Sequence, residues 1–482
     1  MIRNSLVAGV ILVALAYFYD RKTTDTSLDV DGTGISVEEA TLNAWESTIT
    51  KPSVPITKIA IGLNVNADLI VSGTALLKAL KINPKNKHDH STLHDLTHLG
   101  ETFGYFFSKG AGGERYFSNG EVYKQIIDVA DKIPDKQYSL GGNAGLMAQK
   151  IANTLPNVQI RFIGPVGPIA GKLFSKTINI PSGVMVEKDE VHLIMEYAKG
   201  EKWGEDVAPV ATRFITSNDI ANANLARLDM FVKSVIEFKP QMIVLSGLHL
   251  LDGHPQETRT RLLKMMRNEI IKMPRKVPIH LELASMANAD CLAEIAQQIF
   301  PFIHSIGLNE QELVFFSQAN HGPHQDLKPV NGYPEIAAVG DIVSWLLGKY
   351  SGGSSKLARV HFHSLTYHLI ATKMDTWQNS ASAVAAGARV AGEQACMTKP
   401  IQPSKVDLLI PKAFSLSVDN IQLRQQVVIY DPARPVTLWN RDGVDFAFSP
   451  VLVCRKPGNT VGLGDAISAT GLLYSMYSIE TK

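Results

Sequence analysis

KPGNTVGLGDAIS spans residues 456–468, close to the C-terminal end of the chain. Gly462 and Gly464 flank Leu463 directly before Asp465, and the apolar run that follows predicts a helix. The backbone amides of this turn would then lie at a helix N-terminus, where they can bind a phosphate. A carboxylate beside a phosphate is useful when it takes a proton from an attacking hydroxyl, so Asp465 is a candidate general base. Read alone, the stretch is equally typical of a glycine turn with Asp465 as an ordinary helix cap.

Outside this turn, short β-rich runs end in polar or glycine clusters and lead into helical patterns. This alternation predicts an α/β fold with a doubly wound, mostly parallel sheet flanked by helices. The alternation of strand and helix patterns is interrupted at residues 66–135 and about 186–228. We expect these two segments to combine into a smaller α/β lid domain, inserted in two segments. The predicted boundaries are 56–135 for the first lid segment with the first core strand, 136–185 for the large domain, 186–228 for the second lid segment and 229–482 for the large nucleotide-binding domain.

The N-terminus carries an uncharged apolar run from Ser5 to Tyr19, preceded by Arg3. This run is short for a membrane span and is typical of a secretory signal peptide or signal-anchor. We therefore predict a targeting segment at 1–22, a polar spacer at 23–55 and residence in the secretory pathway. The protein would lie in the endoplasmic reticulum lumen, be tethered to its membrane, or be secreted. A helix docked on the core is the alternative for the apolar run.

The composition excludes bulk electrostatic binding of nucleic acid, because the formal net charge of the 482 residues is +1. We expect a small-molecule substrate and a monomeric protein.

The cysteines, three in all, are too few for a disulfide scaffold. Cys291 lies in the helical pattern DCLAEIAQQIF and is expected to be buried, which leaves Cys396 and Cys454 as the pair that could bond in an oxidising compartment. Free thiols at both positions are the alternative.

A set of segments occurs in a fixed order from about Ile59 to Tyr477. They are GLNVNAD, FFSKGAGGERYF, SLGGNAGLMA, HLIMEYAKGEKWG, APVATRFITSND, VLSGLHLL, HLELAS, GLNEQEL, VHFHSLTYHLI and NTVGLGDAIS. This set resembles the ADP-dependent sugar kinases of the ribokinase superfamily, and among them the glucose-phosphorylating branch of eukaryotes. The resemblance implies a ribokinase-like fold and Mg²⁺-dependent transfer of the β-phosphoryl group of ADP to the 6-hydroxyl of glucose, giving glucose 6-phosphate and AMP. It also implies that Asp465 is the general base.

A sugar pocket is expected around GLNVNAD, where Asn64, Asn66 and Asp68 follow a strand-like run. Residues two apart share a face, so these groups can hydrogen-bond to one polyol. Capping of the next helix is the alternative for Asn66 and Asp68. The resemblance assigns the pocket to Asn66, Asp68, Glu114, Gly142 and Asn143, and the shared face of HLIMEY adds His192 and Glu196 as candidates.

Two polar pairs are candidates for a metal site. His280 and Glu282 share a face of a predicted strand, and Asn309 with Glu312 can share one helix turn. Oxygen ligands suit Mg²⁺, whereas zinc would require helix-spaced histidines and a third ligand. Alternatively, Asn309 is a helix cap followed by surface acids. The resemblance assigns both motifs to positioning Mg²⁺ on the nucleotide phosphates, with Glu282 and Glu312 as main candidates and His280, Asn309 and Asp465 beside them.

The remaining candidates concern the nucleotide. Arg213, in APVATRFI, would reach from the lid to the transferred phosphate, because a guanidinium matches phosphate oxygens. A surface arginine is the alternative. His361 and His363 could border the nucleotide or could be core histidines. Negative charge on the transferring group would be stabilised by the backbone amides of the turn, at Val461, Gly462, Leu463 and Gly464.

Walker-type nucleotide binding is excluded, because GPIAGKL at Gly167–Leu173 has the wrong glycine spacing and no hydroxyl for magnesium. Two rival functions stay open: a kinase of the same superfamily that uses ATP or another sugar, and an inactive membrane-tethered sugar-binding protein. His90, His94 and His98 fall at helical spacing, and we expect them to form a half-exposed helix face on the lid rather than a metal site.

Overall fold

A computed structural model gives the fold of residues 34–83, 86–284, 286–329 and 332–478. The predicted targeting segment at 1–22 lies outside these residues. None of the helices in these four ranges is long and apolar enough to cross a bilayer.

The large domain is built on a ten-stranded sheet. Its strands in spatial order are β21 (Thr437–Arg441), β22 (Val444–Pro450), β16 (Tyr367–Lys373), β15 (Arg359–His363), β14 (Ser305–Asn309), β13 (Ile279–Glu282), β12 (Met242–Ser246), β1 (Lys58–Leu63), β6 (Gln159–Phe162) and β7 (Ile178–Asn179). The strands from β15 to β7 run parallel, and β16, β22 and β21 form an antiparallel edge. The prediction of a mostly parallel sheet is confirmed.

Helices cover both faces of this sheet and also support the lid. They are α1 (Val37–Thr48), α2 (Gly73–Ala79), α3 (Leu96–Lys109), α4 (Gly120–Ala130), α5 (Asn143–Thr154), α6 (Pro168–Leu173), α7 (Leu228–Phe238), α8 (Gln256–Lys272), α9 (Ala289–Gln298), α10 (Glu310–Ala319), α11 (Ile336–Tyr350), α12 (Ser380–Cys396), α13 (Ile421–Arg424) and α14 (Leu463–Tyr474). Short 3₁₀ turns occur at Ser182–Val184, Leu248–Gly253, Phe300–Phe302 and Pro403–Lys405.

Alternation of side chains along the central strands explains why both faces are covered. In β1, Ile59 and Ile61 join a buried cluster with α5 and α14, whereas Ala60 joins the cluster with α7 to α11. In β12, Met242 and Val244 join the first of these clusters, and Ile243 and Leu245 join the second. Strands that are buried on both faces read as continuous apolar runs, as these do. The sheet is therefore doubly wound, and its polar strand ends are left for a site.

The lid is a six-stranded sheet with its own apolar core. Its strands in spatial order are β3 (Thr92–Leu93), β4 (Gly113–Phe117), β11 (Thr212–Ser217), β8 (Val191–Tyr197), β2 (Asn66–Ser72) and β5 (Gln137–Gly141). The two predicted insertions are thus joined in one sheet. The predicted boundary at 135 is wrong in one respect, because β5 belongs to the lid sheet and not to the large domain.

The histidine pattern of the lid is also corrected. Asp95 caps α3, which begins at Leu96, so His90 and His94 precede the helix and share no helix face with His98. The rings nevertheless meet, with centroids of His90 and His98 3.9 Å apart.

Four small strand pairs complete the described fold. They are β9 (Lys202–Trp203) with β10 (Asp206–Val207), β17 (Trp377–Gln378) with β24 (Met476–Tyr477), β18 (Val406–Leu408) with β23 (Leu452–Cys454), and β19 (Ala413–Ser415) with β20 (Val427–Ile429). A disulfide joins Cys396, at the end of α12, to Cys454, at the end of β23, and Cys291 is free and buried. The two cysteines that the sequence leaves as the possible pair are therefore bonded.

Candidate active site

The glycine turn before α14 has the conformation that an anion site requires. Gly462 adopts a left-handed conformation (φ 61°), which glycine accepts without a side-chain clash, and it caps the helix that starts at Leu463. The first helical hydrogen bond runs from the amide of Ala466 to the carbonyl of Gly462 (2.9 Å). Among the described residues, the amides of Gly464 and Asp465 have no backbone acceptor. Two donors at a positive helix end are therefore available to a phosphate.

Asp465 lies in the first turn of α14 with only 6% of its surface exposed. Asn143 Nδ2 donates to Asp465 Oδ1 at 3.0 Å, so this predicted sugar ligand contacts the predicted base. Burial, together with the charge of Glu282, raises the pKa of Asp465 to about 7, although Asn143 and His363 act in the opposite direction. A carboxylate with this pKa can accept a proton at neutral pH.

Glu282 is held by two histidines, His280 from its own strand β13 and His363 from β15, two strands away. His280 Nε2 lies 3.0 Å from Glu282 Oε2, and His363 Nε2 lies 3.3 Å from Oε1. Burial alone would raise the pKa of Glu282, but these hydrogen bonds outweigh it and lower the pKa to about 2. The carboxylate crosses over Gly307 of β14, where a Cβ would lie 2.0 Å from Oε2. Glycine at this position is therefore required for the Glu282 side chain to reach its partners.

Glu312 is buried at the start of α10 and is bound by the residue that caps the helix. Its two oxygens accept hydrogen bonds from the Asn309 amide and Asn309 Nδ2, both at 2.8 Å. Asn309 Oδ1 in turn accepts from the Glu312 amide at 3.0 Å, which completes a capping box. Burial raises the pKa of Glu312 to about 7. Asn309 is thus the helix cap of the alternative interpretation, but Glu312 is a buried acid rather than a surface one.

The three buried carboxylates of Glu282, Glu312 and Asp465 fit Mg²⁺ by their chemistry. They are hard oxygen donors, and the negative charges of Glu282 and Glu312 both raise the pKa of Asp465, as expected of acids that share a cluster. Their spacing favours contact through water, because they do not form a group of three ligand atoms within 4.8 Å of one another. Mg²⁺ commonly keeps several waters.

The group of described residues that does meet this distance is His324, Asp341 and Asp419. Asp341 is a hydrogen-bond hub, since its oxygens accept from Ser417 Oγ, Arg441 Nη1 and the amides of Val418 and Asp419 in addition to His324. Its lone pairs are therefore already used, which disfavours a metal there. This group shares no residue with the predicted magnesium set.

The predicted sugar ligands Asn66 and Asp68 lie on the first lid strand and are both buried. Asn66 Nδ2 donates to Asp68 Oδ1 at 2.5 Å. Gly141 of β5 faces them, and a Cβ there would lie 2.2 Å from Asp68 Oδ1. Burial raises the pKa of Asp68, while the neighbouring charge of His192 lowers it. Gly142, at the start of α5, has φ 81° and brings the backbone beside Asn143.

His192 lies next to Asp68 across β2 and β8. Its Nε2 is 3.2 Å from Asp219 Oδ2. Burial lowers the pKa of His192, but Asp219 outweighs burial and, with Asp68, raises it to about 9. The imidazole is therefore a cation that can donate to a sugar oxygen from its other nitrogen.

A cleft of about 1890 Å³ separates the lid from the large domain. Glu114, Glu196 and Arg213 line it from the lid, and Pro457 and Thr460 line it from the segment that leads to the glycine turn. Arg213 and Glu196 lie opposite each other on β11 and β8. The structure thus brings the lid candidates to the cleft that the Asp465 loop borders.

Asn222 joins two segments in which the chain passes between the large domain and the lid. Its Nδ2 donates to the carbonyl of Val65 (2.9 Å), and its Oδ1 accepts from the amide of Val65 (3.2 Å). Val65 lies between β1 and β2, and Asn222 lies between β11 and α7, so the contact joins the two crossings. Asn222 Nδ2 also donates to Asp219 Oδ2 at 2.7 Å, which connects this contact to His192.

The structure places His361 in the core, in line with the second of its two interpretations. The side chain has no exposed surface, and neither ring nitrogen has a partner among the described residues. It lies under α14, where a Cβ on Gly471 would be 2.7 Å from its ring. His363, two residues on, contacts Glu282 and lies under Gly464, so it belongs to the site.

Sequence reasoning missed several polar residues that support the candidates. Asp219 and Asn222 follow β11 in the run TSNDIAN, which reads as a loop. Ser305 and Arg359 lie in strands whose sequences are typical of an ordinary core. A charged residue at a core position, Arg359 in ARVHFH, is the sequence feature that could have indicated a functional role.

Comparison with known proteins decides the family. The conserved region of ADP-specific phosphofructokinase/glucokinase matches residues 57–474. The chain belongs to the ADP-specific phosphofructokinase/glucokinase family. It is therefore a phosphotransferase, as the resemblance implied.

Individual members of the ADP-specific phosphofructokinase/glucokinase family show how similar the chain is. An ADP-dependent glucokinase from Bos taurus is 44% identical over 436 residues, covering 90% of this chain and 87% of that protein. A probable ADP-dependent glucokinase from Caenorhabditis elegans is 37% identical over 454 residues, covering 92% and 90%. The crystal structure of a hypothetical ADP-dependent phosphofructokinase from Pyrococcus horikoshii OT3 matches with a TM-score of 0.67 at 18% identity, covering 88% of this chain and 98% of that one. This structural likeness confirms the expected fold.

Proposed function

We propose that the chain is an ADP-dependent glucokinase that converts glucose and ADP to glucose 6-phosphate and AMP. The observation that carries the proposal is Asp465, a buried carboxylate with a raised pKa in the first turn of α14, directly after the left-handed Gly462. The relatives named ADP-dependent glucokinase support this choice of donor and sugar.

The acceptor sugar would bind where the lid joins the large domain. Asn66, Asp68 and Glu114 supply hydrogen-bond acceptors and donors, and the backbone at Gly142 approaches closely. Asn143 connects the pocket to Asp465 through its 3.0 Å hydrogen bond, so a sugar held here would have its hydroxyl near the base. His192 and Glu196 would line the same face.

Asp465 would take the proton from the 6-hydroxyl as that oxygen attacks the β-phosphorus of ADP. Amides of the turn from Val461 to Gly464, and Arg213 from the lid, would stabilise the charge that develops on the transferring group. Closing the lid would exclude the water that otherwise hydrolyses the donor.

Glu282 and Glu312 would hold Mg²⁺ through water, with His280 and Asn309 orienting them. The ion would supply positive charge that neutralises the phosphate oxygens of the nucleotide. The chain's own contribution is the orientation of these two carboxylates.

Location and assembly remain predictions. We propose targeting to the secretory pathway through residues 1–22, a membrane tether if that segment is retained, and a monomeric kinase. The disulfide between Cys396 and Cys454 supports an oxidising compartment.

The acceptor is tested by initial rates of the full-length chain with ADP, Mg²⁺ and a panel of glucose, glucosamine and fructose 6-phosphate. We expect the highest kcat/KM with glucose. A higher value with fructose 6-phosphate would move the chain to the phosphofructokinase side of its family, and sugar binding without turnover would support an inactive sugar-binding protein.

A further inference from the structure

Arg359 is a fully buried arginine that has no direct carboxylate partner among the described residues. Its side chain has no exposed surface, and its Nη1 donates to Ser305 Oγ at 2.9 Å. Nε and Nη2 have no hydrogen-bond partner within the described ranges, and the guanidinium carbon lies 5.4 Å from the ring centre of Trp377. An isolated buried cation is costly, so a further contact must compensate for it.

A line of hydrogen bonds connects this arginine to Glu282. Ser305 Oγ lies 2.9 Å from His280 Nδ1, and His280 Nε2 lies 3.0 Å from Glu282 Oε2. Arg359, Ser305 and His280 stand directly opposite one another on β15, β14 and β13. The line therefore crosses the parallel sheet at one level, and each residue is fixed by its strand.

When the His280 imidazole is neutral, hydrogen-bond chemistry decides the direction of every bond in this line. A guanidinium can only donate, so Ser305 Oγ accepts from Arg359. The hydroxyl proton of Ser305 is then free to go to His280 Nδ1, which leaves His280 with its proton on Nε2. This proton points at Glu282 Oε2. The opposite direction would leave the serine proton without an acceptor among the described residues, and it would place a bare nitrogen lone pair against a carboxylate.

We propose that Arg359 and Ser305 are positioning residues for Glu282, acting through His280. Both ring nitrogens of His280 are fixed by this relay, so the imidazole cannot rotate away from the carboxylate. Glu282 is then presented in one orientation, with His363 holding its other oxygen. Partners of this kind, one contact removed from a metal ligand, commonly change metal affinity or activity by about 10–100-fold.

The catalytic part of this inference rests on the proposed role of Glu282, whereas the direction of the relay does not. The direction is measured on the full-length, metal-free chain with ¹⁵N-labelled histidine by two-dimensional NMR, using His280→Gln to assign the signals. We expect Nε2 of His280 to carry the proton and Nδ1 to be an acceptor. A proton on Nδ1 would overturn the relay, whether or not the chain phosphorylates glucose.

The positioning role is tested with Ser305→Ala, and Ser246→Ala is the matched control. Ser246 is equally buried on β12 and donates to the backbone carbonyl of Glu282 at 3.1 Å, so its removal costs a similar bond outside the relay. We expect Ser305→Ala to raise the Mg²⁺ concentration for half-maximal activity at least about tenfold, with glucose affinity unchanged, and Ser246→Ala to stay within about twofold.

Ser305→Thr keeps the hydroxyl and should restore the magnesium response. If Ser305→Ala does not fold, Arg359→Met replaces it, because loss of a buried unpaired cation need not destabilise the fold. A magnesium response of Ser305→Ala or Arg359→Met equal to that of Ser246→Ala would overturn the positioning role.

Discussion

The proposed proton transfer depends on a single residue, Asp465. We expect Asp465→Asn to lower kcat by at least about 100-fold, because no other group at the turn can take the hydroxyl proton. Glucose affinity, measured by calorimetry, should stay within about twofold. Asp445→Asn, the same change at an exposed position of β22, is the control and should leave both quantities unchanged.

The environment of Asp465 also makes a prediction about stability. Its pKa rises from 3.8 to about 7 on folding, so between these values the folded state holds a proton that the unfolded state has released. Stability therefore falls as pH rises through this window, by on the order of 4 kcal/mol in total. Without magnesium, the Tm of Asp465→Asn should exceed that of the parent chain by a margin that grows from pH 4 to about pH 7 and then levels off.

A Tm difference that stays constant with pH would contradict the buried position of this carboxylate. Asp445→Asn again serves as control, since its carboxylate is exposed in the fold.

Gly307 gives a residue-scale test of the Glu282 position. We expect Gly307→Ala to displace the Glu282 carboxylate, because the new Cβ would lie 2.0 Å from Oε2. The magnesium requirement should rise at least about tenfold. Gly348→Ala in α11 is the control, because a Cβ there meets no atom within 4 Å. Equal magnesium responses of the two variants would contradict the account.

At the scale of elements, the disulfide braces the segment that leads to the glycine turn. Cys454 ends β23, Gly458 donates to the carbonyl of Ala395 at 2.8 Å, and Gln394 Nε2 donates to the carbonyl of Val461 at 2.9 Å. Cys396→Ser should therefore raise the KM for ADP several-fold with little change in the KM for glucose. Cys291→Ala, which removes the buried free thiol, should leave the KM for ADP unchanged. A rise in the KM for glucose alone would contradict this placement.

The strands of the two sheets show how much of the fold can be predicted from the sequence. Apolar runs that end in polar clusters correctly predict the parallel strands, because burial on both faces leaves a clear pattern. The sequence pattern places the lid strand β5 in the wrong domain, because its short run is typical of a strand that leads into a helix. His361 and His363 share a face of β15, yet only His363 reaches the site, because α14 covers His361. No local pattern encodes which helix covers which part of a strand.

At the scale of the whole molecule, the candidate site is assembled from residues far apart in the chain. Asn143 meets Asp465, His363 meets Glu282, and Val65 meets Asn222. The resemblance supplied most of the candidates, but only the folded chain shows the hydrogen bonds among them. The contacts of the supporting residues Asp219, Ser305 and Arg359 cannot be read from the sequence for the same reason.

The activity proposed for this fold is transfer of the β-phosphoryl group of ADP to glucose. The most direct measurement follows the full-length chain with glucose and Mg²⁺ by ³¹P NMR, using ADP or ATP as donor. We predict that glucose 6-phosphate and AMP appear together at equal rates from ADP, and that ATP is consumed far more slowly. Glucose 6-phosphate formed from ATP with release of ADP, and none formed from ADP, would contradict the account.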